Sequence, residues 1–272
     1  MTDERSATRA FELLSRVQAG QAITTRDDQN EFPAFLDAAK LCRRSRGRFR
    51  LIDTGKLSLS ELEWLGESGA DLYTSDEARP RKVELELMAK ACSRGNATTV
   101  YFHHGTLTAD GGAGPETMAF LQEIGRSGVD LHLSNRERSR RLSDLAGLAC
   151  TCRKAGSVFV YYHHGRPPVD LEPLAGSGGW IHLSDRGLEH EEDAALVAVL
   201  TRQATQSDAG CVVHIEKGLE LAAARTLWQA GAHLLFKTPP ADYRSAYRAL
   251  EKQARKKKLS FRSYYLFTIS LP

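Results

Sequence analysis

The chain has 272 residues, 42% of them hydrophobic and 26% charged, with a net charge of +3 at neutral pH. This is globular composition with enough apolar material for one sizeable core, and the charge by itself points to neither nucleic acid nor a membrane surface. No apolar run approaches the roughly 18 residues of a membrane helix, which excludes a spanning segment.

Taken in chain order, residues 1–46 come first. MTDERSATRAFELL mixes acids and bases where a secretory leader would be basic and then apolar. SATRAFELLSRV and EFPAFLDAAKLCRR read as two helices of an N-terminal extension. The five cysteines are Cys42, Cys92, Cys150, Cys152 and Cys211. Their spacing matches no zinc or redox motif, so they read as reduced thiols of a cytoplasmic protein.

From residue 47 to 258 two kinds of strand segment alternate. One kind ends in glycine: FRLIDTG (Phe49–Gly55), VYFHHG (Val100–Gly105), VYYHHG (Val160–Gly165) and VVHIEKG (Val212–Gly218). The other begins at glycine: GADLYTSD (Gly69–Asp76), GVDLHLSN (Gly128–Asn135), GGWIHLSD (Gly178–Asp185) and GAHLLFKT (Gly231–Thr238). Between them lie helical patterns such as SLSELEWLGESG, PETMAFLQEIGRSG, EEDAALVAVLTRQA and LELAAARTLWQAG, and DYRSAYRALEKQARKKK supplies the eighth helix. Strands alternating with helices predict a parallel sheet. Eight such pairs in four βαβα units predict an α/β fold of the (β/α)8 TIM-barrel type. A doubly wound open sheet is the alternative. Residues 259–272, LSFRSYYLFTISLP, read as an apolar C-terminal tail that packs on the barrel or makes a homo-oligomer contact.

Side chains alternate between the faces of a strand. Assigning Val100, Phe102, Val158, Val160, Val213 and Ile215 to the helix side leaves Asp53, His103, His163 and Glu216 pointing inward at one level. Leu51, Tyr101, Tyr161 and His214 follow one step deeper. The other four strands contribute Tyr73, His132, His182 and Leu235, then Ser75, Ser134, Ser184 and Lys237. Strand one fits least well, because Arg50 falls on the helix side. A one-residue slip would exchange His103 for His104, His163 for His164 and Glu216 for Lys217.

Barrel enzymes place their chemistry at the strand C-terminal ends. There Asp53, His103, His163 and Glu216 are the expected ligands of a divalent metal such as zinc, manganese or iron. Metal-bound water would be the nucleophile, with His132, His182 and His214 as proton carriers and Lys237 holding an anionic group. That describes a metal-dependent hydrolase acting on a small anionic substrate.

Three readings compete with it. The histidines specify the core of a non-catalytic barrel; or Lys237 or Lys217 forms a Schiff base in a metal-free lyase; or a basic face meets RNA or an acidic partner. The last rests on RALEKQARKKKLSFR (Arg248–Arg262) and on Arg43, Arg44, Arg46, Arg48 and Arg50. Such runs are more often solvated helix faces, so nucleic acid is not expected. TLTADGGAGP (Thr106–Pro115) reads as a flexible loop or lid, and no glycine stretch has nucleotide-phosphate spacing.

Overall fold

The computed structural model describes residues 2–18, 22–45, 47–105, 115–136 and 141–236. Lys237, the eighth helix of the sequence reading, the C-terminal tail and the loop at 106–114 lie outside the described residues.

The elements alternate from the start: α1 (Thr2–Gln18), β1 (Ile23–Arg26), α2 (Phe32–Arg44), β2 (Phe49–Ile52), α3 (Leu59–Glu67), β3 (Ala70–Ser75), α4 (Lys82–Gly95) and β4 (Thr99–His103). They continue as α5 (Pro115–Arg126), β5 (Asp130–Ser134), α6 (Leu142–Ala155), β6 (Phe159–His163), α7 (Glu172–Gly176), β7 (Trp180–Ser184), α8 (Glu191–Gln206), β8 (Cys211–Ile215), α9 (Leu221–Ala230) and β9 (His233–Phe236). The strands lie in chain order from β1 to β9. A doubly wound sheet reverses its order at a switch point, and this sheet does not. The fold is of the (β/α)8 TIM-barrel class, with β2–β9 as the eight expected strands. β1 is an addition inside residues 1–46, where only helices were expected. Its four residues, ITTR, are too few to show a period, although three of them are β-branched and suit a strand.

Local signals place the helices. Ser58 caps α3 by accepting the backbone N–H of Glu61, whose carboxylate in turn accepts that of Ser58. The helix then buries Leu62 and Leu65. α4 ends at Asn96, whose left-handed backbone stops it.

The chain divides into two compact units, the first built on β1–β4 and the second on β6–β9. In the first, the strands pair in parallel, with Thr24, Arg50 and Asp71 level on one face. Arg26, Ile52, Tyr73 and Val100 form the next level of that face, and Ser75 and Phe102 the one after. On the other face Ile23, Phe49, Leu51, Ala70 and Leu72 pack against Phe35 of α2, Leu62 and Leu65 of α3, and Met88 of α4. Each fully buried Phe or Leu there is worth roughly 1.5–3 kcal/mol. In the second unit Tyr162, His182 and Val212 share a face with Ser184 and His214, while His163, Leu183 and Val213 share the other with Tyr161, Ile181 and Cys211. Cys211 is fully buried and bonds Thr201 of α8, which marks its face as the helix-covered one.

Register therefore corrects the expected inward set. In β2, β4 and β6 the parity is reversed. Asp53, His103 and His163, with Leu51, Tyr101 and Tyr161, lie on the helix-covered side, and Ile52, Phe102 and Tyr162 on the helix-free side. β8 keeps the expected parity, with His214 on the helix-free side. VVHIEKG has one more residue before its glycine than VYYHHG, so alignment on the glycine shifts it by one. Polarity misled because the helix-covered side accepts polar groups that find partners, and Tyr101 and Tyr161 are among the largest fully buried side chains.

Candidate functional site

Four strand ends are held by the same device. Asp27, just past β1, accepts the backbone N–H of Thr54 at 3.1 Å and those of Lys56 and Leu57 at 3.0 and 3.3 Å. Asp76, past β3, accepts the N–H of His104 at 2.9 Å. Asn135, past β5, accepts that of His164 at 2.7 Å. Asp185, past β7, accepts those of Glu216, Lys217 and Gly218 at 3.0, 2.9 and 2.8 Å. In three cases the same residue's own N–H also donates to the next strand, to Ile52, Phe102 and Tyr162. Each clamp satisfies backbone donors that turn away from the sheet. It also makes Thr54, His104, His164 and Glu216 the equivalent positions. Sequence reasoning overlooked these four clamps, although the signal was visible as RD, SD, SN and SD closing alternate strands.

Of the expected metal ligands, Asp53 and His103 belong to the first unit, His163 and Glu216 to the second. The carboxylate of Asp53 accepts four hydrogen bonds: from Gly55 N–H at 2.9 Å, Thr74 Oγ1 at 2.8 Å, and Arg79 Nε and Nη2 at 2.9 and 3.2 Å. Those fill its lone-pair positions. His103 Nδ1 lies 3.4 Å from Asp76 Oδ2 and 3.5 Å from the Tyr101 hydroxyl. His163 accepts at Nδ1 from Asn135 Nδ2, 3.2 Å away, and donates from Nε2 to the Arg166 carbonyl at 3.0 Å. Neither ring nitrogen of His163 is left for a metal. Among the described residues no group of three or more His, Cys, Asp or Glu side chains is placed to hold a metal ion.

The histidines expected as proton carriers fare differently. His132 belongs to the first unit, edge-on to Phe102 with ring centroids 4.7 Å apart, and full burial pushes its pKa down to about 3. It is neutral throughout the physiological range. His182 and His214 come together in the second unit, His182 Nδ1 3.0 Å from His214 Nε2. The ring of Tyr162 lies 4.7 Å from that of His182. Burial pushes the pKa of His214 down; the charge of Glu216 opposes this, and His164 reinforces it. His164 is pushed down by burial, then by Arg136 and His163, again against Glu216. Glu216 pairs with Arg186 at 3.0 Å. The strand ends of the second unit thus gather His164, His182, His214, Glu216 and two arginines within electrostatic reach. Ser134 and Ser184 accept the N–H groups of Arg136 and Arg186 and so shape the turns that present them.

Among the described residues no helix is long and apolar enough to cross a membrane. No family model matches the chain, and no curated protein matches it. Solved structures similar to it include an HpcH/HpaI aldolase/citrate lyase family protein from Burkholderia cenocepacia, 16% identical over 80% of this chain and 98% of the other, with a TM-score of 0.36. Phospho-2-dehydro-3-deoxyheptonate aldolase from Thermotoga maritima is 12% identical over 89% and 71%, with a TM-score of 0.38. Deoxyribose phosphate aldolase from Aeropyrum pernix is 14% identical over 90% and 99%, with a TM-score of 0.34. At these scores none of their reactions is carried over to this chain.

Proposed function

We propose that this chain is an enzyme that moves a proton on a small anionic substrate, with His182 and His214 as a coupled acid and base. The observation that carries the reading is their 3.0 Å contact on the helix-free side of β7 and β8. One ring donates and the other accepts, so the pair holds one shared proton. A proton taken up by the donor ring at its far nitrogen moves the shared one toward the acceptor ring. Burial disfavours the charged form of His214, so that ring is kept neutral and able to act as a base. Arg186 is largely exposed beside Glu216, and Arg136 acts on His164 from the adjoining strand end. Their charge draws an anionic substrate to the strand ends.

Hydrolysis and lyase chemistry both use such a pair. The lyase form would add a Schiff base at Lys237 or Lys217. The metal-dependent hydrolase form would add zinc, manganese or iron, which could take at most two ligands from any one place among the described residues.

The test is a panel of small carboxylates and phosphate esters incubated in D2O and followed by NMR for turnover and deuterium uptake. His182→Gln and His214→Gln are each expected to lower kcat by about 10²–10⁴, and the double variant to be little worse, because the rings act as a unit. Borohydride trapping and metal analysis of untagged protein separate the lyase and metal forms. No turnover on any compound, together with lower melting temperatures for both single variants, would replace this reading with the non-catalytic barrel.

A further inference from the structure

The first unit carries, on its helix-free side, a buried cation with an unsatisfied donor. Arg50 is level there with Thr24 of β1 and Asp71 of β3. It is only 8% exposed, and its Nε has no hydrogen-bond partner among the described residues. Two carboxylates stand near it: Asp71 at its own level, and Asp130, which acts on Tyr73 as Arg50 does. Arg26 pairs with Asp28 at 3.3 Å. Asp71 accepts the N–H of Thr98 at 3.0 Å and faces Arg48 at 3.8 Å. A guanidinium offers five N–H donors and accepts nothing, so an unmet N–H needs an acceptor brought to it. A buried cation held this way is costly unless an acceptor reaches it. Tyr73 stands at the next level of the same face, close enough for Arg50 to act on its phenol. Burial pushes the pKa of that phenol up, so it remains a hydrogen-bond donor.

We propose that Arg50 anchors the anionic group, carboxylate or phosphate, of a small-molecule ligand, with the Tyr73 hydroxyl as the second donor. A planar guanidinium offers two parallel N–H bonds to either group. This site does not depend on the His182–His214 reading, and its test measures binding alone.

Thermal unfolding of the full chain is followed in sodium chloride, inorganic phosphate and malonate at matched ionic strength. Wild type is expected to gain about 3 °C in phosphate or malonate over chloride at a tenfold excess over the dissociation constant. A response to phosphate alone identifies a phosphate group, and a response to malonate alone a carboxylate. Arg50→Met removes the unsatisfied buried donor, so it is expected to melt at or above wild type in chloride and to lose the anion response. Tyr73→Phe is expected to reduce the response while keeping the melting temperature in chloride. An Arg50→Met protein that melts lower in chloride, or that responds to the anions as wild type does, overturns the proposal. Should Arg50→Met not fold, Arg50→Lys decides: a response cut at least threefold supports the anchor, and an unchanged one overturns it.

Discussion

VYFHHG and VYYHHG differ by one aromatic residue, yet the two strand ends are built differently. At Val100–Gly105 the clamp is Asp76, a carboxylate that only accepts. It takes the N–H of His104 and faces His103 Nδ1 at 3.4 Å. That geometry puts a proton on His103 Nδ1. At Val160–Gly165 the clamp is Asn135, which both accepts and donates. Its amide nitrogen bonds His163 Nδ1 and the His164 carbonyl, so the proton of His163 sits on Nε2 and goes to Arg166. The glycines differ as well. A Cβ on Gly105 would lie 2.5 Å from His103 Cε1 and 2.9 Å from Asp76 Oδ2, whereas Gly165 has open space around it and needs only its positive φ of 99°. The same three letters thus serve a close approach in one place and a turn in the other. What decides between them is the residue that closes the preceding strand.

A third histidine gives the contrast a reference and the largest expected effect. The folded pKa of His132 is about 3, against roughly 6.5 in an unfolded chain. The folded pKa is the lower one, so below 6.5 the unfolded chain binds the proton first. Stability is therefore complete above about pH 6.5 and is lost as pH falls toward 3, by up to about 1.4 kcal/mol per pH unit. The depressed values of His163, His164 and His214 add to the loss in the upper part of that window. Urea unfolding at stepped pH measures it, and His132→Phe is expected to flatten the profile. A profile unchanged by that substitution would place the acid loss on the strand-end histidines instead. Next in size, Gly105→Ala is expected to cost about 2–3 kcal/mol by overpacking against a buried ring, and Gly165→Ala about 1–2 kcal/mol by backbone strain alone. Equal costs in urea unfolding would erase the distinction between the two ends.

Most of the fold was legible because the alternation of strand and helix is long and regular, with a capping box opening α3 and left-handed residues ending α4 and α9. β1 was hidden by its length. The site was less legible, and the reason is local. Assigning His103 and His163 to the open side assumed that polar residues avoid the helices, but on the covered side Asp76 meets His103 Nδ1, and Asn135 and the Arg166 carbonyl satisfy both nitrogens of His163. Glu216 was grouped with His163 by strand parity, whereas Asp185 holds it as the counterpart of His164. With Ile181, Leu183, Val213 and Ile215 on the covered side, His182 and His214 lie on the helix-free side of β7 and β8. Their mutual contact depends on register between strands, and a single strand's pattern does not contain it.

The smallest expected effect is the sharpest test of the clamp. Asn135→Asp gives the second strand end the chemistry of the first. The new carboxylate still accepts the N–H of His164, but it no longer donates to His163 Nδ1 or to the His164 carbonyl. Two modest hydrogen bonds are lost and one charge-assisted bond to His163 is gained, so the net cost is about 1 kcal/mol. The proton arrangement responds more than the stability. His163 Nδ1 must now carry a proton to meet the carboxylate, while Nε2 keeps its bond to the Arg166 carbonyl, and together these favour the doubly protonated ring. The His163 pKa, held down by burial in the native chain, is therefore expected to rise, because an adjacent carboxylate favours the charged imidazole. Nitrogen-15 NMR reads both changes in one titration, with the native ring starting as the Nε2–H form and His103 as the Nδ1–H form. If His163 keeps its Nε2–H form and its low pKa beside an aspartate, the clamp residue does not set the state of the histidine, and the difference between the two strand ends must come from the helices packed behind them.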